Sequence, residues 1–295
     1  ESGGGINSLS GVMVLPGESH NIRVRLKPGE NATIGPAQYN LKITSARPLR
    51  LPITLWDTES FRQEAVRADT MLGLQYGILL AMIFYNLFLF FSIREPSYIF
   101  YVAAIATQAA FIFLDSKHFR YLLDDIHSGA WYVDLSERLI YPLLVVTALL
   151  FQRSLLRIWE NNLKLDQIVK VLLAGFGIVM LLTLVPNEKV FQYLFIFLLV
   201  LAIPLVFYTN VDSIRRGNIT AVVHMGAIGV FLVGTIKLMM LQLIPGFPNN
   251  AVTVNAYNVG LIAQALLLSL SLSFRYNQIK QEKEDAQLLA ITNLV

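Results

Sequence analysis

The chain of 295 residues contains no cysteine, so no disulfide braces it and no thiolate is available to hold a metal or attack a substrate. Charge is scarce too. Asp, Glu, Lys and Arg make up only 15% of the residues and leave a net charge of +3, and the basic residues are spread out, which leaves no surface for nucleic acid. Enzyme signatures are missing as well. His20, His118, His127 and His224 lie far apart, no HExxH or paired-carboxylate spacing occurs, and no Gly-rich phosphate loop precedes a helix. No catalytic residue, metal or cofactor is expected of this chain. The opening ESGGGINSLSG has no basic start followed by an apolar core, so any signal peptide is expected to be removed or to lie upstream.

What remains is apolar. Hydrophobic residues make up 55% of the chain and the mean hydropathy is +0.56, which places most of it in a lipid bilayer. A window of about 20 residues, the length that crosses ~30 Å of hydrocarbon, finds spans at 72–93, 97–114, 136–156, 168–185, 190–210, 220–241 and 254–274. Connections are short except for 115–135, so the spans predict one mainly α, seven-helix transmembrane bundle over 72–274. No internal repeat stands out. Placing the N-terminus outside puts Arg94, Arg153, Arg157, Lys164, Arg215, Arg216, Arg275, Lys280 and Lys283 on the cytoplasmic side, against Lys117, Arg120 and Lys189 outside.

The first 56 residues read differently. Ile22, Val24 and Leu26 alternate with Arg23, Arg25 and Lys27, and Leu49, Leu51, Ile53 and Leu55 repeat the period of two that marks half-buried strands. Turn signals come from PGE at 16–18 and 28–30. Residues 1–56 are thus expected to be the C-terminal part of an extracytoplasmic β-sandwich, too short to bury a core alone. Residues 57–71 are expected to form a polar linker helix, capped at Thr58 or Ser60.

The order of these parts, and the stretch GLQYGILLAMIFYNLFLFFSIREPSYIFYV, resemble the bacterial seven-transmembrane receptors with diverse intracellular signalling modules. Gly73 and Gly77, Tyr85 and Asn86, Arg94 and Glu95, and Tyr98 and Tyr101 carry the likeness. The resemblance implies a jelly-roll sensor outside, a seven-helix bundle in the bacterial inner membrane, and a cytoplasmic histidine kinase or diguanylate cyclase joined to its C-terminus. It also implies a small extracellular ligand such as a carbohydrate.

Candidate residues have both functional and plain readings. In the β segment Trp56, Tyr39 and His20 are the strongest ligand contacts, and Trp131 and Tyr132 end an outer loop that faces the same side. Trp131 and Trp159 also fit an aromatic belt at opposite interfaces. Lys237 lies inside a span, where a charge is a functional hypothesis by default, although snorkelling explains it more simply. Glu137 and Arg138 begin the third span, where headgroup-level charges are ordinary. Asn86, Gln108, Asn255, Asn258 and Gln264 are expected to bond neighbouring helices, and GLQYG at 73–77 to serve close packing.

The last span runs into RYNQIKQEKEDAQ with no Gly or Pro between, which predicts one unbroken helix over 275–295. This segment is expected to be a cytoplasmic signal-transmitting helix, solvated or paired with its copy in a homodimer. Arg275, Tyr276, Ile279, Lys283 and Ala286 are its candidate transmitting residues, with a weak heptad that Lys283 interrupts. A transporter is the rival reading, disfavoured by the lack of inverted repeats and of Gly/Pro-broken spans in matching places.

Overall fold

In hydrocarbon every backbone N–H and C=O must be satisfied within the protein, and for a run of apolar residues that means a helix. The computed structural model, which describes residues 58–115, 130–184, 188–243 and 251–292, is helical throughout nearly all of those residues. In chain order the helices are α1 (Thr58–Ile93), α2 (Pro96–Asp115), α3 (Ala130–Leu155), α4 (Ile158–Asn161), α5 (Leu163–Leu182), α6 (Glu188–Arg215), α7 (Ile219–Leu243) and α8 (Ala251–Thr292). All but α4 are long and apolar enough to cross a membrane, which makes seven. The expected strands at 1–56 lie outside the described residues.

Chain contacts separate a unit ending at Leu72 from a second unit over Gly73–Val295. The boundary falls inside α1. The expected linker helix and first span are therefore one 36-residue helix. In the first unit α1 is polar and exposed, with Arg62 paired to Glu59 at 2.9 Å across one turn.

In the second unit α2, α3, α5, α6, α7 and α8 pack each against the next, and α8 closes the circuit on α2. Leu149 of α3, Leu172, Phe176 and Val179 of α5, and Phe191, Leu198 and Ala202 of α6 form a core cluster. The most extensive contact joins α7 and α8. Here a Cβ on Gly260 would stand 3.2 Å from the Val230 carbonyl oxygen and 3.5 Å from the Gly234 Cα, so only small residues allow the approach.

Gly73 and Gly77 behave otherwise. Among the described residues a Cβ on either would meet nothing within 4 Å, so these two glycines make no close helix approach there, although Gln75 between them is buried. Phe84, Phe88 and Phe91 further along α1 are two-thirds exposed or more. Rings so placed suit hydrocarbon and not water.

The corner between α3 and α5 explains a shifted boundary. Asp166, nearly buried in the first turn of α5, is bonded by Arg153 of α3 and lies 2.7 Å from Lys170. Asn162 caps the same turn, its side chain accepting from the Leu165 N–H at 3.2 Å. Paired and capped, these polar residues start α5 at Leu163, five residues before the apolar run predicts. Arg153 also lies over the Trp159 ring at 5.2 Å, so Trp159 is part of this corner.

Candidate functional site

Along α8 the buried residues Leu261, Ala265, Leu268 and Leu272 recur every three or four positions, and the next in the series is Arg275. A guanidinium thus ends an apolar seam. The sequence places Arg275 on a solvated rod, yet only 5% of its side chain is exposed; its partners come from a turn far upstream, which a local pattern does not reveal.

Helix α2 runs antiparallel to this seam and grips it with polar groups. The Gln108 amide donates to Gln264 Oε1 at 3.1 Å, the Tyr101 hydroxyl to the Ala265 carbonyl at 2.9 Å, and the Tyr98 hydroxyl to the Leu272 carbonyl at 3.5 Å. Glu95, just before α2, continues the ladder, its Oε1 lying 4.0 Å from Arg275 Nε. From α1 the Asn86 amide donates to Met82 O at 2.8 Å and lies 3.4 Å from Ser269 Oγ. Buried against helix backbone, these groups act as glue between helices.

Past Arg275 two more turns converge on α8. Gln278 lies 3.4 Å from both Arg275 Nη1 and Asn218 Oδ1, and 3.3 Å from Thr220 Oγ1. Ser271 donates to the Thr220 carbonyl at 3.2 Å. Glu282 stands 4.0 Å from Arg275 and 3.5 Å from Arg157, which also pairs with Glu160 at 3.3 Å. One carboxylate of α8 is thus shared between its own helix and the corner after α3. A cleft of about 420 Å³ opens among these groups.

The turns that supply them are tight. Arg94, Arg157 and Gly217 take positive φ, at 58°, 45° and 81°. Glycine suits this left-handed end of a helix; Arg94 and Arg157 adopt it at a cost of roughly 1–2 kcal/mol each. Arg157 recovers part of that through its two carboxylates.

Deeper in the bundle a second polar group ties α3, α6 and α7. Gln152 bonds Thr209 and the Val206 carbonyl, and Asn210 Oδ1 meets His224 Nδ1 at 2.8 Å. His224 also packs edge-on to Phe151, which packs on Tyr101. These side chains are satisfied internally and fix the frame behind the α2–α8 seam.

The other expected residues are dispersed. Trp56, Tyr39 and His20 lie outside the described residues; Trp131, Tyr132 and Glu137 lie in α3, and Arg138 is half-buried there. Lys237 is half-buried in α7 and makes no hydrogen bond or ion pair among the described residues. On the α8 extension Tyr276 and Ala286 are exposed, Ile279 is half-buried, and Lys283 lies in the same helix. Sequence reasoning missed Arg157, Asn218, Thr220, Gln278 and Glu282 as partners. The signal was the spacing of Gln278 and Glu282, three and seven residues after Arg275 and so on one helical face.

No curated protein and no solved structure matches the chain. The model of the family described as 7TM diverse intracellular signalling matches residues 68–275, a stretch that starts in α1 and ends on the arginine that closes the α8 seam. With seven helices among the described residues fit to span a membrane, the chain is a multi-pass membrane protein and belongs to the 7TM diverse intracellular signalling family of transmembrane sensory receptors.

Proposed function

We propose that this receptor transmits its signal by moving α8 against the clamp formed by α2 and the turns at Glu95, Arg157 and Asn218. The observation that carries this is the continuity of α8, 42 residues from Ala251 to Thr292, through the junction where those turns meet it. Beyond Arg275 it extends about 25 Å at ~1.5 Å per residue. A stiff rod of that length passes a rotation or a shift to the domain joined to its end.

In this reading the Arg275 end faces the cytoplasm of a bacterium and the N-terminus lies outside its inner membrane, as the excess of Arg and Lys at that end argues. Residues 1–56 belong to a sugar-binding-like sandwich where Trp56, Tyr39 and His20 touch a small ligand, aided by Trp131 and Tyr132. Residues 275–295 lead into a cytoplasmic output module, a sensor or hybrid histidine kinase before a diguanylate cyclase, in a homodimer. With no native cysteine, single cysteines at Ser10 and Gln287 report topology cleanly. An impermeant thiol reagent should label the first only from outside and the second only from inside; labelling of both from one face contradicts an odd number of spans.

A transporter of a small solute is the rival. The polar side chains inside the bundle are mostly engaged with each other, as Gln108–Gln264 and Asn210–His224 are, and do not line a path. Purified protein in sealed liposomes should show no solute flux above protein-free vesicles for sugars, amino acids or organic acids. Saturable uptake of any of these would overturn the receptor reading.

A further inference from the structure

A guanidinium carries five N–H donors in a planar fork and cannot shed its charge at ordinary pH. Arg275 is buried to 4% exposure, and its Nε and Nη2, one edge of the fork, have no hydrogen-bond partner among the described residues. Glu95 Oε1 stands 4.0 Å from Nε. At that distance the two feel each other's charge but share no hydrogen bond, which needs the atoms about 1 Å closer. A buried cation held short of its carboxylate is costly. The remaining nitrogen is served separately, with Nη1 3.4 Å from Gln278 Oε1 and 4.0 Å from Glu282 Oε1.

Glu95 is placed to close the gap. Its Oε1 is otherwise held by the Ser97 hydroxyl at 3.5 Å, and that hydroxyl is itself engaged by Ser154 at 3.1 Å. Arg94 and Glu95 are the two residues that join α1 to α2. Arg94 has a φ of 58°, and left-handed backbone at a residue with a side chain is strain of the kind that gathers at switches. Its N–H donates to the Phe90 carbonyl at 2.7 Å, so the turn follows the end of α1.

Helix α1 is itself lightly held. From Gly73 onward its buried residues are Gln75, Leu79 and Asn86, which share one face. Gln75 Nε2 and Asn86 Oδ1 have no hydrogen-bond partner among the described residues, and Asn86 Nδ2 reaches Ser269 of α8 at 3.4 Å. An interface with that much slack admits the helix shifts of about 1–2 Å that work at switching interfaces.

We propose that α1 operates the clamp on α8: a shift of α1 by about 1 Å brings Glu95 onto Nε and Nη2 of Arg275 as a bidentate pair that locks α8 to the start of α2. The structure holds the open state, in which Asn86 rests against Ser269 and that edge of the fork is unfilled. Closing fills the edge and leaves Nη1 with Gln278. The inference rests on the reading of this junction as a clamp, and adds the element that sets it.

The test needs no output module, so its result is independent of whether α8 transmits. The chain, with nitrogen-labelled arginine, is placed in nanodiscs of phosphatidylcholine. The readout is the Nε–H resonance of Arg275, assigned by its absence in Arg275→Lys, which moves downfield when the proton bonds a carboxylate. Ser269→Ala and Asn86→Leu each remove the contact that keeps α1 in the open register. Either should move the resonance downfield as the ratio of closed to open rises roughly threefold, about what one interhelical hydrogen bond is worth in a membrane. Adding Glu95→Gln to either should return the resonance to its position in Glu95→Gln alone. Ser269→Ala, the milder change, decides the matter if Asn86→Leu does not fold. No downfield movement in Ser269→Ala, or a movement that survives Glu95→Gln, overturns the proposal.

Discussion

Inserting one to seven residues between Ala286 and Gln287 of α8 should make the output of the full-length receptor swing with the length of the insert. Each added residue rotates the downstream segment by about 100°, because the helix turns once per 3.6 residues. Three or four residues should give a reversed or locked state. Seven should return near-native control, with about 20° of residual error. Ala286 and Gln287 are exposed and lie past Glu282, through which α8 is tied to Arg157 of the bundle, so the insertion leaves the clamp intact and alters only the phase. A response that falls smoothly or not at all with length would mean a tether, and α8 would lose its role.

The second large effect is expected at the clamp. Glu95→Gln removes the bundle's carboxylate and leaves Arg275 facing only Glu282 of its own helix, which favours α8 leaving the seam. Glu282→Gln severs the link to Arg157 and should act in the same direction. Couplings between sites run at roughly 1–3 kcal/mol, or 5- to 150-fold in a two-state equilibrium, so output should shift by about tenfold in each variant. Arg62→Gln, which breaks an exposed pair in the first turns of α1, should leave output unchanged. Equal output from all three would show that the clamp carries no signal.

The spans were legible because lipid imposes a length and a composition that any sequence must display. Their ends were less so. The start of α5 was masked by Lys164 and Asp166, which look like loop until Arg153 is seen to pair with Asp166. The short α4 has no apolar period of its own, and the polar turns of α1 continue into its span without a break.

The junction was legible only in part. Tyr98, Tyr101, Asn86 and Glu95 stood out for the family likeness they carry, and the structure gives the physical reason: all four hold α8. Arg275 reads in the sequence as one more inner-side cation because its burial depends on Glu95 and on the α6–α7 turn, which no window of neighbouring residues contains. The heptad of the extension is weak for a related reason. The buried stripe of the span, Leu268 and Leu272, runs into Arg275 at the start of the extension, so a charge stands where a coiled coil would place an apolar residue.

The absence of cysteine permits the most direct test of α8 as the transmitting element. Gln278 of α8 meets Asn218 of the α6–α7 turn at 3.4 Å, so a cysteine at each position, bridged by a short thiol-reactive cross-linker, joins rod to bundle at the clamp. The measurement is output of the full-length receptor with the bridge complete, in backgrounds carrying Glu95 or Glu95→Gln. If α8 must move past the clamp, the tenfold difference between those backgrounds should vanish once the bridge forms. A difference that survives quantitative cross-linking would contradict transmission through α8.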